Sequence, residues 1–309
     1  MALRSYLATE IAIDHADGLL SRRDALHKLG LLGLTTVAAS SLLASCSSEA
    51  PSAAPGAAPG PSAAPGNASQ SAATPTAPPD YDVVAARARS EDVTFPGGTG
   101  TMSGAYAAAE SPRGAVLVVH ENRGLTDHIR AVAGRLAGDG YSALAPDLLS
   151  RAGGTAGAPD ATAALGAIST ADLVTDLRSG LTELARRADG LKLGIMGFCF
   201  GGGMTWQLLD SGPSELAAAV PFYGPSPDAP TFTASQAAVL GVFAEKDARV
   251  NAGRDKLEAA LTAAGVTHEL VTVPGVDHAF FNDTGARYDQ AAASQVYQQV
   301  LSWFGTHLT

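Results

Sequence analysis

The sequence predicts an α/β domain, a mostly parallel sheet with helices on both faces, and three observations carry that expectation. Apolar runs of strand length recur along the second half of the chain. Segments with helical spacing separate them, so successive strands are joined by crossovers and lie parallel. The runs are apolar almost throughout, as strands covered on both faces must be.

In order, the runs are AVLVVH (115–120), YSALAP (141–146), LKLGIMGF (191–198), AAAVPFYG (217–224), AVLGVFAE (238–245) and HELVTV (268–273). Two further strands are expected ahead of them, around 92–95 and 102–109. Ile129, Val132 and Leu136 share one helical face, and Leu173, Leu177, Leu181 and Leu184 share another. The stretch RAGGTAGAPDATAALGA (151–167) reads as a long loop or a lid. In such sheets chemistry gathers at the carboxyl ends of the strands, where the loops collect.

A chain of 309 residues, 46% hydrophobic, can bury a large core without disulfides, and its two cysteines, Cys46 and Cys199, offer no disulfide framework. A formal net charge of -10 and an isoelectric point near 5.1 exclude nucleic acid as a partner, since phosphate binding needs clustered Lys and Arg. Paired Arg22 and Arg23 stand before LLGLTTVAASSLLAS, an apolar run too short to span a bilayer comfortably, which is signal-peptide anatomy. The run ends in LASC at Cys46 and is similar to the lipobox of exported lipoproteins, in which the cysteine carries lipid. Ser21, Arg22 and Arg23 resemble a twin-arginine export signal, with Ala25 where that pattern prefers a bulky apolar residue. Residues 47–80, rich in Pro, Ala and Ser, hold almost nothing to bury and read as an extended tether. The expected organisation is a signal peptide with lipobox over 1–46, a linker over 47–80 and one folded domain over 81–309. On this reading the leader stands outside the fold, and the chain is exported, held at the cell surface by lipid alone, and monomeric.

The chemistry concentrates at LGIMGFCFGGG (193–203). LGIMGF is a strand and FGGGMTWQLL opens a helix, so Cys199 stands at the turn, flanked by Gly197, Gly201, Gly202 and Gly203. This GxCxGG pattern resembles the nucleophile elbow of the α/β-hydrolase fold with cysteine for serine. The following helix points its N–H groups and positive dipole end at the sulfur, which favours the thiolate. An inert core thiol would not need those glycines. A nucleophile here expects an acid and then a histidine on later strand-end loops. Asp247 follows AVLGVFAE, and His278 lies in PGVDHAF after HELVTV. His278 would move the proton, and Asp247 would fix its tautomer. Glu245 and Asp277 compete for the acid's role, the first still at the strand end and the second adjoining the histidine. His15 and His27 lie in the leader, and His128, His268 and His307 sit in helices or strand starts.

Over residues 93–304 the chain resembles the dienelactone hydrolases, cysteine α/β-hydrolases that open unsaturated lactones. The resemblance rests on HENRGL (120–125), PDLLSR (146–151), GFCFGGG (197–203) and the Asp247 and His278 loops. It implies that Glu121 hydrogen-bonds the resting thiol and helps to ionise it, that the N–H groups of Phe200 and Asn122 form the oxyanion hole, and that Arg151 binds a substrate carboxylate. The family's second carboxylate-binding arginine is replaced here by Asn282, and Arg287 lies further along. The expected function is hydrolysis of a small ester or lactone through a Cys199–Asp247–His278 triad and a thioester, with no metal or organic cofactor. Two alternatives belong to other classes: a ligand-binding lipoprotein on an inactive hydrolase fold, and a thiol redox protein, which would want a second cysteine near Cys199.

Overall fold

In a computed structural model, residues 3–47, 81–98 and 100–309 are described. Their order is α1 (Leu3–Ala16), α2 (Arg22–Leu31), α3 (Thr36–Ser47), α4 (Val83–Ala88), β1 (Glu91–Gly97), β2 (Gly100–Ala107), β3 (Gly114–Val119), α5 (Asp127–Gly138), β4 (Tyr141–Pro146), α6 (Ala161–Ala167), α7 (Thr170–Arg187), β5 (Leu193–Phe198), α8 (Phe200–Asp210), β6 (Leu216–Phe222), β7 (Ala238–Ala244), α9 (Ala248–Asn251), α10 (Arg254–Ala263), β8 (His268–Val273) and α11 (Gln290–His307). Among the described residues the strands form one eight-stranded sheet in the order β1-β2-β4-β3-β5-β6-β7-β8. The β1–β2 and β2–β4 pairs are antiparallel and the rest parallel, so each apolar run of the sequence becomes a strand of the expected kind.

Residues of β3, β4 and β5 are buried without exception, because helices cover both faces of the sheet. Leu173, Leu177, Leu181 and Leu184 of α7 are fully buried, each contributing about 1.5–3 kcal/mol of transfer free energy. A Cβ on Gly180 would lie 3.1 Å from Leu117 of β3, so α7 rides directly on the sheet. Phe304 and Leu308 at the end of α11 pack near Gly194 of β5. The stretch 151–167 resolves into a short 3-10 turn at Ser150–Ala152 and the helix α6.

The segment read as a leader is described in this structure, where α1, α2 and α3 pack against the α/β domain. Tyr6, Leu7, Ala8, Ile11 and Ala12 of α1, Ala25 and Leu29 of α2, and Ala39 and Leu43 of α3 are buried in the same core cluster as the sheet. Ser21 caps α2 by accepting from the Asp24 N–H, which leaves Arg22 and Arg23 exposed in the first turn. Cys46, near the end of α3, is half-buried. Among the described residues no helix is long and apolar enough to cross a membrane. The tether lies, beyond its first residue, outside the described residues.

Candidate active site

β5 delivers Cys199 to the carboxyl edge of the sheet and α8 begins at the next residue, so the turn between them is as short as a turn can be. Cys199 takes φ 56° and ψ −117°, a conformation costly for a residue with a side chain. Its N–H donates to the Phe222 carbonyl of β6 at 3.1 Å, and its carbonyl accepts from the Gly203 N–H at 3.0 Å, which over-determine the strained geometry. The glycines are explained by crowding: a Cβ on Gly201 would sit 2.4 Å from the Val119 carbonyl oxygen, and one on Gly197 would sit 2.3 Å from that of Gly201. β3, β5 and α8 can therefore converge under the sulfur only if these positions carry no side chain.

The loops after β7 and β8 bring the partners. His278 Nδ1 donates to Asp247 Oδ2 at 2.5 Å with both groups buried, which leaves Nε2 facing the site. Asp247 Oδ1 also accepts from the Val250 N–H at 3.2 Å, capping α9. The competing acids are engaged elsewhere: Glu245 accepts from the Gly275 N–H, and Asp277 from the His278 N–H. Burial works against a charged His278 ring, but Glu10, the Cys199 sulfur and Asp247 outweigh it and raise its pKa well above the ordinary value. Burial likewise opposes a charged Asp247, and the His278 charge overcomes it, holding the carboxyl low. The Cys199 thiol is pushed up, by burial first and then by the charge of Glu10, with His278 pulling the other way.

Glu121, on the loop after β3, lines one cavity of about 240 Å³ with Cys199, His278, Asn122 and Asn282. Its Oε2 accepts from the Asn282 amide, whose orientation is set because Asn282 Oδ1 accepts from the N–H and hydroxyl of Thr284. Its Oε1 is buried with no hydrogen-bond partner among the described residues. His120, not assigned a role from sequence, latches this loop: Nδ1 bonds the Glu121 carbonyl at 2.6 Å, and Nε2 accepts from the Leu148 N–H at 3.1 Å. Burial lowers its pKa, in keeping with a neutral ring of that tautomer. The Phe200 N–H stands in the first turn of α8, where no intrahelical carbonyl can take it.

Two further polar partners of the thiol come from α1, which sequence reasoning did not place here. Tyr6 Oη lies 3.3 Å from Sγ, and Glu10 Oε2 is 3.8 Å from Sγ and 3.4 Å from His278 Nε2. Glu10 also pairs with Arg249, whose guanidinium lies 4.6 Å over the Tyr6 ring. Cys199 is consequently only 3% exposed. Glu10, Cys199 and His278 offer three ligand atoms within 4.8 Å of one another, but the Arg249 charge on Glu10 opposes a cation there.

The sequence profile of the dienelactone hydrolase family matches residues 102–308. The chain belongs to the dienelactone hydrolase family. A Salmonella typhi protein provisionally named carboxymethylenebutenolidase is 33% identical over 225 residues, covering 67% of this chain and 83% of its own. A crystal structure of a provisionally named dienelactone hydrolase from Klebsiella pneumoniae superposes with a TM-score of 0.64 at 32% identity, covering 71% of this chain and 98% of its own. That of P91, a dienelactone hydrolase-like promiscuous phosphotriesterase from metagenomic libraries, does so at 0.63 and 25% identity, again matching 98% of its own length. Relatives thus complete their fold with a part of this chain, and the family match excludes α1, α2 and α3.

Within this family member, Arg151, for which the resemblance implied a carboxylate of the substrate, is engaged by carboxylates of the chain itself. Its guanidinium grips Asp176 of α7 in a bidentate pair, at 2.8 and 2.9 Å, and reaches the Asp172 carbonyl at 3.2 Å. It is not among the residues lining the Cys199 cavity. Asp176 is 2% exposed, and a carboxylate so buried needs that arginine. Glu121 is in place, but its hydrogen bond goes to Asn282 rather than to the thiol.

Proposed function

We propose that this chain is a carboxylic ester hydrolase that cleaves a small ester or lactone through Cys199. The observation that carries the reading is the buried 2.5 Å bond from His278 to Asp247, with Nε2 and the elbow sulfur facing one cavity. The names of the relatives point the same way. The thiolate attacks the carbonyl carbon, and the resulting oxyanion takes hydrogen bonds from the Phe200 and Asn122 N–H groups. Each such donor typically lowers the barrier by about 3 kcal/mol. The tetrahedral centre collapses to a thioester as His278 gives a proton to the departing alkoxide. Water then attacks the thioester and yields its proton to His278, and Cys199 leaves as thiolate. Glu121 Oε1, buried and without a partner among the described residues, is the atom placed to take the thiol proton when substrate enters. Neutral and anionic p-nitrophenyl esters and butenolide lactones, assayed with wild type and Cys199→Ala, test this. The substitution should remove at least ~10³-fold of the rate and all acyl adduct at residue 199, with the thermal transition kept. Activity within tenfold of wild type would overturn the assignment.

We further propose that the chain is exported and lipidated at Cys46, a reading supported by LASC and by the exposed Arg22 and Arg23 pair. Membrane fractionation of Cys46→Ser checks it. The variant should wash off with buffer, because lipid on that cysteine is the anchor the reading supplies. Retention after a salt wash would refute it.

A further inference from the structure

α1 carries Glu10 and Asp14 at the i, i+4 spacing that places them on one helical face, and Asp17 follows directly after the helix ends at Ala16. Glu10 is buried and Asp14 half-buried, while Asp17 stands at the exposed rim. Glu10 pairs with Arg249, and Asp14 and Asp17 both pair with Arg287 on the loop beyond His278. Arg123, Arg287, Glu10 and Asp14 line the Cys199 cavity together; burial and then the Glu10 charge push the Asp14 carboxyl up, with Arg287 and Arg123 pulling the other way. At the other end of the helix Arg4 donates to the Gly166 carbonyl of α6 at 3.1 Å, so α1 is fastened on both sides of the sulfur. Between these fastenings Tyr6 and Glu10 stand against Sγ and His278 Nε2, where a carbonyl group would have to enter. Arg249 Nε and Nη1 are buried without hydrogen-bond partners among the described residues, so Glu10 uses only part of what that guanidinium offers.

We propose that α1 is an internal competitive inhibitor, whose Glu10 and Asp14, with Asp17 just past its end, occupy an arginine-lined mouth that, in the released enzyme, receives anionic esters or lactones. The proposal rests on the ester-hydrolase reading for the word substrate, but not for the occlusion. Arg249 and Arg287 supply the two fixed positive charges, and the acidic helix face is the internal counterpart of the ligand's negative charge. An enzyme occupied in this way is latent. Cleavage ahead of Cys46 would carry α1 off with the leader, and latency would end with processing. The family match begins at residue 102, so α1 lies outside the part of the chain that this family shares.

The test uses the full chain with Cys46→Ser, which leaves Cys199 as the single thiol. Alkylation of Cys199 is followed by intact mass with neutral iodoacetamide and anionic iodoacetate. Asp14→Lys with Asp17→Lys reverses the charges facing Arg287 without touching the sulfur's neighbours. It should raise the iodoacetamide rate by about tenfold or more and the iodoacetate rate further, since the helix's differential hold on the closed state is removed. A synthetic peptide of residues 3–17 added in trans should suppress the gain. Adding Arg249→Ala to the released variant should erase the preference for iodoacetate. In Glu10→Gln the alkylation profile should move to lower pH, because the Glu10 charge raises the thiol pKa. Thermal melts confirm that each variant is folded when it reacts. Rates within twofold of the parent in both folded α1 variants would overturn the proposal, as would a released variant that prefers iodoacetamide. A gain in alkylation with no ester hydrolysis would instead overturn the hydrolase reading and leave the occlusion standing.

Discussion

Replacing Asp247 with Asn changes a single atom's identity and should cripple the site for a reason visible in its hydrogen bonds. Asp247 accepts twice, from His278 Nδ1 through Oδ2 and from the Val250 N–H through Oδ1. An asparagine has one oxygen to offer. If it faces His278, its amide N–H group confronts the Val250 N–H, donor against donor, and α9 loses its cap. If it faces Val250, the amide donates to Nδ1, the ring's one proton sits on Nε2, and His278 no longer holds the second proton that lets it protonate the departing alkoxide as an imidazolium. The loss of a charge-assisted hydrogen bond is worth about 1.5–3 kcal/mol. The loss of the carboxylate's attraction for the imidazolium adds up to about 4 kcal/mol at an effective dielectric of 20. The two overlap, and about 3–5 kcal/mol is the expected total, or roughly 10²–10⁴ in kcat/KM. Single-turnover release of p-nitrophenolate, at equal folded fraction, measures the acylation step directly. The double variant with His278→Ala should be little slower than the slower single one, since the pair acts as a unit. A deficit under tenfold, or losses that multiply in the double variant, would refute the coupling.

Two further outcomes separate structural from functional residues. Arg151→Ala strands the buried Asp176 carboxylate and should destabilise the domain by about 3 kcal/mol, read as a fall in Tm on the order of 10 °C; the ratio of kcat/KM for anionic and neutral esters should stay constant, and a tenfold change in it would restore Arg151 to substrate binding. Gly201→Ala forces a methyl group to within 2.4 Å of the Val119 carbonyl oxygen, so β3 and the elbow must separate at a cost of about 1–3 kcal/mol; unchanged Tm and unchanged acylation would show that the crowding at the elbow is not needed to aim the sulfur.

The part of this protein legible in the sequence is the part written in local patterns. Strand periodicity, the glycines around Cys199 and the chain order of Cys199, Asp247 and His278 are short-range signals, and the parallel sheet converts strand-end positions into neighbours automatically. That is why His278 and Asp247 meet although 31 residues separate them. What the tertiary structure decided is the choice of partner among similar charges. Arg151 stands after a strand end as the family pattern asks, but Asp176, on the buried side of α7, claims its guanidinium. Glu121 has Asn282 as its donor because the loop after β8 brings that amide to it. The fate of α1 was the least legible: its acids look like an ordinary solvated face, and the apolar run downstream argues for a leader held apart from the domain. Only the folded domain brings Arg249 to Glu10 and Arg287 to Asp14 and Asp17. Glu10 finds Cys199 across 189 residues of chain because two buried or half-buried guanidinium groups there need countercharge, and no property of residues 3–16 alone encodes that need.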